Sequence, residues 1–437
     1  MPGEASAAGS RHSGGRDGRA GRAGHRGHTG HTVLAGLIAA VVGFTSSFAV
    51  VLTGLRAVGA SEAQAASGLA ALCLGMGLSA LLLSVRLRMP ISVAWSTPGA
   101  ALLASTGAPS GGFPAAVAAF LVTGALLVLA GLWRPLGRAI AAIPPALANA
   151  MLAGVLLSLC LAPARAAVEI PRLALPVVAV WLALTRWAPR WAVPGALAAA
   201  AVGVALESAG GLGDTLSGTP LLATPEAVAP SFDVAAVVGL ALPLFLVTMA
   251  SQNIPGMGVL ASYGYRPPLR PLLGVTGAAT VAAAPFGGHA VNLAALTAAL
   301  AAGPGAAPDP ERRWVAGATS GAAYVVLGLL GGLVTALAGL APLLLLQAVA
   351  GLALLGALAS ALKAATDDPA MREAAVVTLV VTVSGAQVAG VGSAFWGLAA
   401  GWVVLGVGRL PGLRPARPAP VVAEAPDGRD DRAREHP

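Results

Sequence analysis

Long apolar runs follow one another from residue 32 to residue 407, divided by short groups of proline, glycine and charge. Runs of this kind suit α-helices crossing a hydrocarbon layer of about 30 Å, which takes about 20 residues at 1.5 Å each. The alternating apolar and polar pattern of a membrane β-barrel is missing. The punctuation places spans near 33–55, 65–84, 92–106, 113–132, 140–162, 172–187, 192–209, 233–252, 270–283, 287–302, 314–338, 342–362, 373–390 and 393–408. The chain therefore reads as an all-α integral membrane protein of fourteen transmembrane segments. Segments 3 and 10, at 92–106 and 287–302, are too short to cross and begin at proline and glycine. They read as half-helices preceded by short extended strands.

Composition agrees with a lipid environment, since 57% of the 437 residues are hydrophobic and 10% are charged, where soluble domains carry about 25%. The net charge of +8 does not point to nucleic acid, because the bases are scattered over loops and tails. Their distribution orients the chain instead. Loops after even-numbered spans hold Arg86, Arg88, Arg134, Arg138, Arg186, Arg190, Arg266, Arg270, Arg312, Arg313, Lys363 and Arg372, against Arg56, Arg165 and Arg172 after odd-numbered ones. Cytoplasmic loops collect Lys and Arg, so both termini are expected in the cytoplasm of a cell whose inner membrane holds the protein.

The outer loop at about 207–233 carries acids and no base, and splits the spans into two sets of seven. Because seven is odd, the second set enters the membrane from the opposite side, giving a 7+7 inverted repeat. The expected organisation is a disordered basic tail over 1–31, a first repeat over 32–210, an outer linker over 211–231, a second repeat over 232–408 and a disordered tail over 409–437. Weak internal identity at Val42/Val247, Ser46/Ser251, Leu55/Leu260 and Gly59/Gly264 favours the repeat. Stronger support is the broken segment at the corresponding place in each half, "MPISVAWSTPGAALLAST" and "VAAAPFGGHAVNLAALT".

A helix that starts inside the membrane leaves backbone N–H groups without intrahelical partners, so each start is a ready anion site. The expected starts are Ser96, Thr97, Pro98 and Gly99 in the first half, and Phe286, Gly287, Gly288 and His289 in the second, with glycine allowing a ligand near the backbone. On this span map every Asp and Glu falls in loops, tails or span ends, and His289 is the one histidine at depth. Imidazole titrates at about 6.5 when unperturbed, so a buried one reads as functional, with a neutral hydrogen-bonded histidine as the plain alternative. Asn292 would share a helical face with His289. Ser251, Gln252 and Asn253 at the end of span 8, and their repeat mates Thr45, Ser46 and Ser47, are candidate polar partners. Cys73 and Cys160 read as small hydrophobes. No metal cluster or cofactor motif stands out, and the lone Lys363 lies outside any phosphate-binding loop, so ATP does not drive this chain.

The stretches "GFTSS", "AWSTPGAALLAS", "SQNIPG", "GYRPP", "APFGGHAVNLAALTAAL" and "PDPERRW" resemble the benzoate:proton symporters of the BenE type, over about residues 34–408. The resemblance implies the fourteen-span inverted repeat of uracil permease-like and sulfate permease-like carriers, with core and gate domains and often a homodimer. It also implies a substrate site between the two half-helices and span 8. Nucleobase permeases of that fold carry glutamates where Ser251 and Gly288 stand here, which argues for an anionic substrate read by donors. The expected function is secondary import of benzoate or a similar aromatic carboxylate with a proton. Ser96, Thr97, Gly99, Ser251, Gln252, Asn253, Gly287, Gly288, His289 and Asn292 would bind it, with the ring against Phe44, Trp95 or Phe286. His289 would couple the proton, in competition with a proton carried on the substrate carboxylate itself. The rival readings are a passive channel for small anions and a permease for nucleobases or other organic anions. A receptor or an intramembrane enzyme fits less well.

Overall fold

A computed structural model describes residues 17–133, 135–136, 142–207, 222–294, 297–389 and 391–407. The expected tail over 409–437, most of the linker over 211–231 and the first sixteen residues of the expected tail over 1–31 lie outside the described residues. So do Arg134, Arg138 and the first two residues of the expected fifth span.

The helices follow the apolar runs. α1 is Asp17–Ala57, α2 Glu62–Leu87, α3 Thr97–Thr106, α4 Gly112–Leu132, α5 Pro145–Cys160, α6 Ala162–Glu169, α7 Pro171–Trp187 and α8 Ala192–Glu207. The second half holds α9, Val234–Ser262, and α10, Leu269–Ala283. After these come α11, Ala298–Ala302, α12, Trp314–Leu329, α13, Gly331–Gly339, α14, Leu343–Thr366, α15, Arg372–Val383, and α16, Ser393–Val407. Among the described residues, eight helical stretches are long and apolar enough to cross a bilayer.

Three boundaries differ from the expectation. Span 8 does not end at "SQNIPG", because α9 continues to Ser262 through two π-helical turns, Val237–Ala241 and Met249–Asn253. Each turn closes with an N–H bonded five residues back, Leu242 to Val237 O and Ile254 to Met249 O, and each is followed at once by proline, Pro243 or Pro255. Proline lacks the amide for an ordinary helical bond and its ring clashes with the carbonyl four residues back, so the wider turn relieves both problems. The expected eleventh span is broken at Leu330 into α12 and α13. The expected span 373–390 stops as helix at Val383, before Gly385 turns the chain at φ 67°.

Two three-residue strands, β1 (Val93–Trp95) and β2 (Val291–Leu293), come from opposite halves of the chain and pair antiparallel, with Ala94 facing Asn292. Ser96 N–H to Ala290 O at 3.0 Å and Ala294 N–H to Ser92 O at 2.9 Å extend the ladder at both ends. The pairing satisfies backbone that lies in no helix, as a water-free surrounding requires. α1, α2, α4, α10 and α12 pack around this crossing, while α5, α7, α8, α14, α15 and α16 form a second group with its own apolar cluster of Leu173, Val177, Ala196, Leu345 and Val349.

Small residues allow the tightest approaches. A Cβ on Gly77 of α2 would lie 2.6 Å from Gly321 O of α12, and one on Gly321 would lie 2.6 Å from Gly77 O. Gly321→Val should therefore destabilise the protein by about 1–3 kcal/mol through overpacking. Gly258→Ala, where a Cβ meets open space, should leave it unchanged or slightly firmer. Thermal midpoints of the purified protein in detergent check both.

Candidate functional site

Ser96 is the hub of the crossing. It ends β1 and caps α3, its side chain accepting the Gly99 N–H at 3.1 Å, with Pro98 in the first helical turn. Its carbonyl accepts the Ala100 N–H at 2.8 Å and the Nε2–H of His289 at 2.9 Å. Its Oγ also accepts the hydroxyl of Thr248 from α9 at 2.9 Å. Ser96, Thr248 and His289 are all fully buried, so β1, α3, α9 and the chain before β2 meet at one residue.

That geometry settles the histidine tautomer. A carbonyl can only accept, so Nε2 carries the proton, and neutral imidazole then presents a bare lone pair at Nδ1. Nδ1 is buried and has no partner among the described residues; the same holds for Oδ1 of Asn292. Phe120 meets the His289 ring edge-on with centroids 6.3 Å apart. The crossing thus holds unused acceptors beside the unpartnered hydroxyl of Ser92, where the sequence led us to expect donors.

The second half departs from the expectation in its local structure. Gly287 and Gly288 are followed by extended chain and β2, and α11 begins only at Ala298. Gly287 reverses the chain at φ 90°, and a Cβ on Gly288 would lie 2.6 Å from that of Ala283, so both glycines serve the turn. Asn292 stands in β2, not one helical turn beyond His289, and its amide donates to Leu293 O at 2.7 Å. Gly99 is also a packing residue, since a Cβ there would lie 2.5 Å from Leu244 Cδ1. The Ser96 cap occupies the Gly99 amide and Pro98 has none, which leaves the Thr97 amide and hydroxyl as donors at this helix start.

On α9, Asn253 is buried and its Oδ1 accepts the Leu293 N–H at 2.9 Å, tying the second π turn to β2. Ser251 and Gln252 are half-buried on the same turn. Thr248 was not singled out in the sequence, although it stands three residues before Ser251, the spacing of a shared helix face. Thr280 was missed too. Its hydroxyl accepts the Val291 N–H at 2.9 Å and holds the outer edge of β2.

An aromatic cavity lies beside α1, one ring contact away from β1. Phe44 and Phe48 of α1 stack with centroids 5.5 Å apart, Phe44 meets Trp95 at 5.5 Å, and Trp95 Nε1–H donates to Ser47 Oγ at 2.8 Å. Phe44, Thr45 and Phe48 face Ala200, Val204 and Leu345 across a cavity of about 280 Å³. An apolar cavity of about 150 Å³ is enough to hold benzene. Thr45 and Ser46 bond back to Val41 O and Val42 O, so their hydroxyls are already occupied as donors. Phe286 lies elsewhere, lining an apolar cavity between α2, α10 and α12.

The family model described as benzoate membrane transport protein, BenE, matches residues 28–407. The chain belongs to this family. Family membership makes the protein a multi-pass membrane transporter and not an enzyme. Inner membrane protein YdcO of Escherichia coli (strain K12) is 41% identical over 85% of this chain and 94% of its own length. The benzoate membrane transport protein of Acinetobacter baylyi (strain ATCC 33305 / BD413 / ADP1) is 32% identical over 84% of this chain and 92% of its own. In fold the chain is similar to the transmembrane domain of a cyanobacterium bicarbonate transporter, BicA, with TM-score 0.57 at 15% identity, covering 85% of this chain and 97% of that one. It is also similar to murine Solute Carrier 26 family member A9 in the inward-facing state, with TM-score 0.57 at 14% identity, covering 86% and 68%.

The shared Ser96 oxygen makes a double-mutant cycle informative in this transporter. Ser96→Ala should destabilise by about 1–2 kcal/mol through loss of the cap, and Thr248→Val by about 1 kcal/mol. The double variant should cost less than the sum, because both changes break the same bond. Denaturation midpoints of the four proteins read the coupling.

Proposed function

We propose that the protein imports benzoate or a similar aromatic carboxylate together with a proton, binding it where the two strands cross. The observation that carries this reading is the orientation of His289. With Nε2–H committed to Ser96 O, the buried Nδ1 offers one acceptor to a hydrogen-bearing partner. A carboxylic acid donating its O–H satisfies that acceptor; equally, a proton on Nδ1 donates to a carboxylate. Both arrangements contain one carboxylate and one proton, and both keep a dry site neutral, whereas an unpaired buried anion is costly. The ring would occupy the cavity beside Phe44, Phe48 and Trp95, with Thr97, Ser251, Gln252 and Asn292 as the polar groups bounding the carboxyl end.

The architecture behind this reading is the fourteen-span 7+7 inverted repeat, with halves over 32–210 and 232–408 and a core group rocking against a gate group. β1 leads into α3, whose ten residues span about 15 Å, half of a hydrocarbon core. β2 leads toward α11 in the same order. The bias of Arg and Lys toward loops after even-numbered spans supports cytoplasmic termini. The name of the Escherichia coli relative supports an inner-membrane location, and that of the Acinetobacter relative supports benzoate as substrate.

Radiolabelled benzoate uptake into proteoliposomes under an imposed pH gradient tests the reading. The wild type should accumulate benzoate, and His289→Ala should lose about a hundredfold or more of that uptake, the scale of an uncompensated buried charge. His289→Gln keeps a donor for Ser96 O and an acceptor for the acid but cannot hold a proton, so loss of its pH drive places the proton on Nδ1 and retention places it on the substrate carboxylate. Wild-type transport by His289→Gln would remove His289 from the proton route. Equilibration without accumulation in the wild type would make the protein a passive facilitator.

A further inference from the structure

The turn joining α1 to α2 holds a charged pair that the transport reading above does not use. Arg56 lies in the last turn of α1 with its side chain 19% exposed, and Glu62 opens α2 with its side chain 79% exposed. Their contact is a single one, Arg56 Nη2 to Glu62 Oε1 at 3.4 Å. Arg56 Nε is buried and has no partner among the described residues. Nε and Nη2 together form the side-on edge of a guanidinium, which matches the two oxygens of one carboxylate. Here that edge is half used.

The pair borders a cavity of about 410 Å³ whose walls include Thr224, Thr335, Gly339 and Leu340. Leu340 also lines the aromatic cavity, so the two spaces adjoin at that side chain. Along α1, Phe48 and Phe44 lie eight and twelve residues before Arg56, about 12 and 18 Å away. A guanidinium with a free edge, an apolar divider and a phenylalanine pair thus follow in order. This end of α2 is remote from Arg86 and Arg88, which lie about 36 Å further along the helix and face the other side of the bundle.

We propose that Arg56 is a first docking site for the carboxylate of an aromatic acid, which displaces Glu62 from Nη2 before the ring passes Leu340 into the aromatic cavity. The proposal rests on the transport reading and adds to it a site outside the crossing. Glu62 acts as a stand-in ligand: it holds the guanidinium in place while the site is free and competes with the substrate for it. Such competition predicts effects of opposite sign from the two halves of one ion pair. A pair that merely braced the α1–α2 turn would respond to either loss in the same direction.

The association rate of benzoate with the purified wild type, Arg56→Gln and Glu62→Gln tests this. Arg56→Gln should slow association about fivefold and Glu62→Gln should speed it by a few-fold, the scale of one partly exposed charge contact. Raising the salt concentration should slow association with the wild type more than with Arg56→Gln. Association that both variants leave unchanged, or move in the same direction, overturns the docking site alone. Absence of benzoate binding to the wild type overturns the transport reading and the docking site with it.

Discussion

Backbone polar groups inside a bilayer have no water to turn to, and this constraint shapes the centre of the molecule. Helices satisfy it along the chain. Where the chain leaves helix in both halves, β1 and β2 satisfy it with each other, and side chains finish what the ladder leaves open. Ser96 caps α3, Thr248 and His289 bond to Ser96, Thr280 bonds to Val291, and Asn253 bonds to Leu293. After this accounting Nδ1 of His289, Oδ1 of Asn292 and the hydroxyl of Ser92 are left over at the crossing. These leftover groups, with the amide and hydroxyl of Thr97, are the polar atoms the crossing can offer to a ligand.

The proline-linked π turns belong to the same logic. Each widens α9 by one residue ahead of a proline, and the second presents Asn253 to β2 and leaves Ser251 and Gln252 half-buried beside it. A regular helix through "SQNIPG" would turn the side chains beyond the bulge by about 100°, the step of one residue, from their present directions. The prolines thus do more than mark a span end. They set which polar residues of α9 face the crossing.

Much of this was legible in the amino-acid order, and the parts that were not have physical reasons. "WSTPG" announces β1 and α3 because a serine cap and an early proline act locally, through dihedral angles and the first amides of a helix. The burial of His289 followed from its isolation among apolar residues. By contrast, "FGGHAVNL" reads as a helix start only if its partner is ignored. Its extended course depends on pairing with residues almost two hundred positions earlier, which no local pattern encodes. The donor or acceptor character of His289 was equally hidden, since it turns on the one carbonyl that Nε2 meets. Thr248 escaped notice because a threonine in an apolar helix usually bonds to its own preceding turn, as Thr45 does here.

The central claim is that an aromatic carboxylate occupies the crossing with one proton and no net charge. The most direct test is benzoate uptake into proteoliposomes in which the pH gradient and the membrane potential are set independently. The account predicts uptake that follows the pH gradient and is indifferent to the potential. Uptake driven by the potential at equal pH on both sides would show that charge crosses with the substrate, and would contradict it.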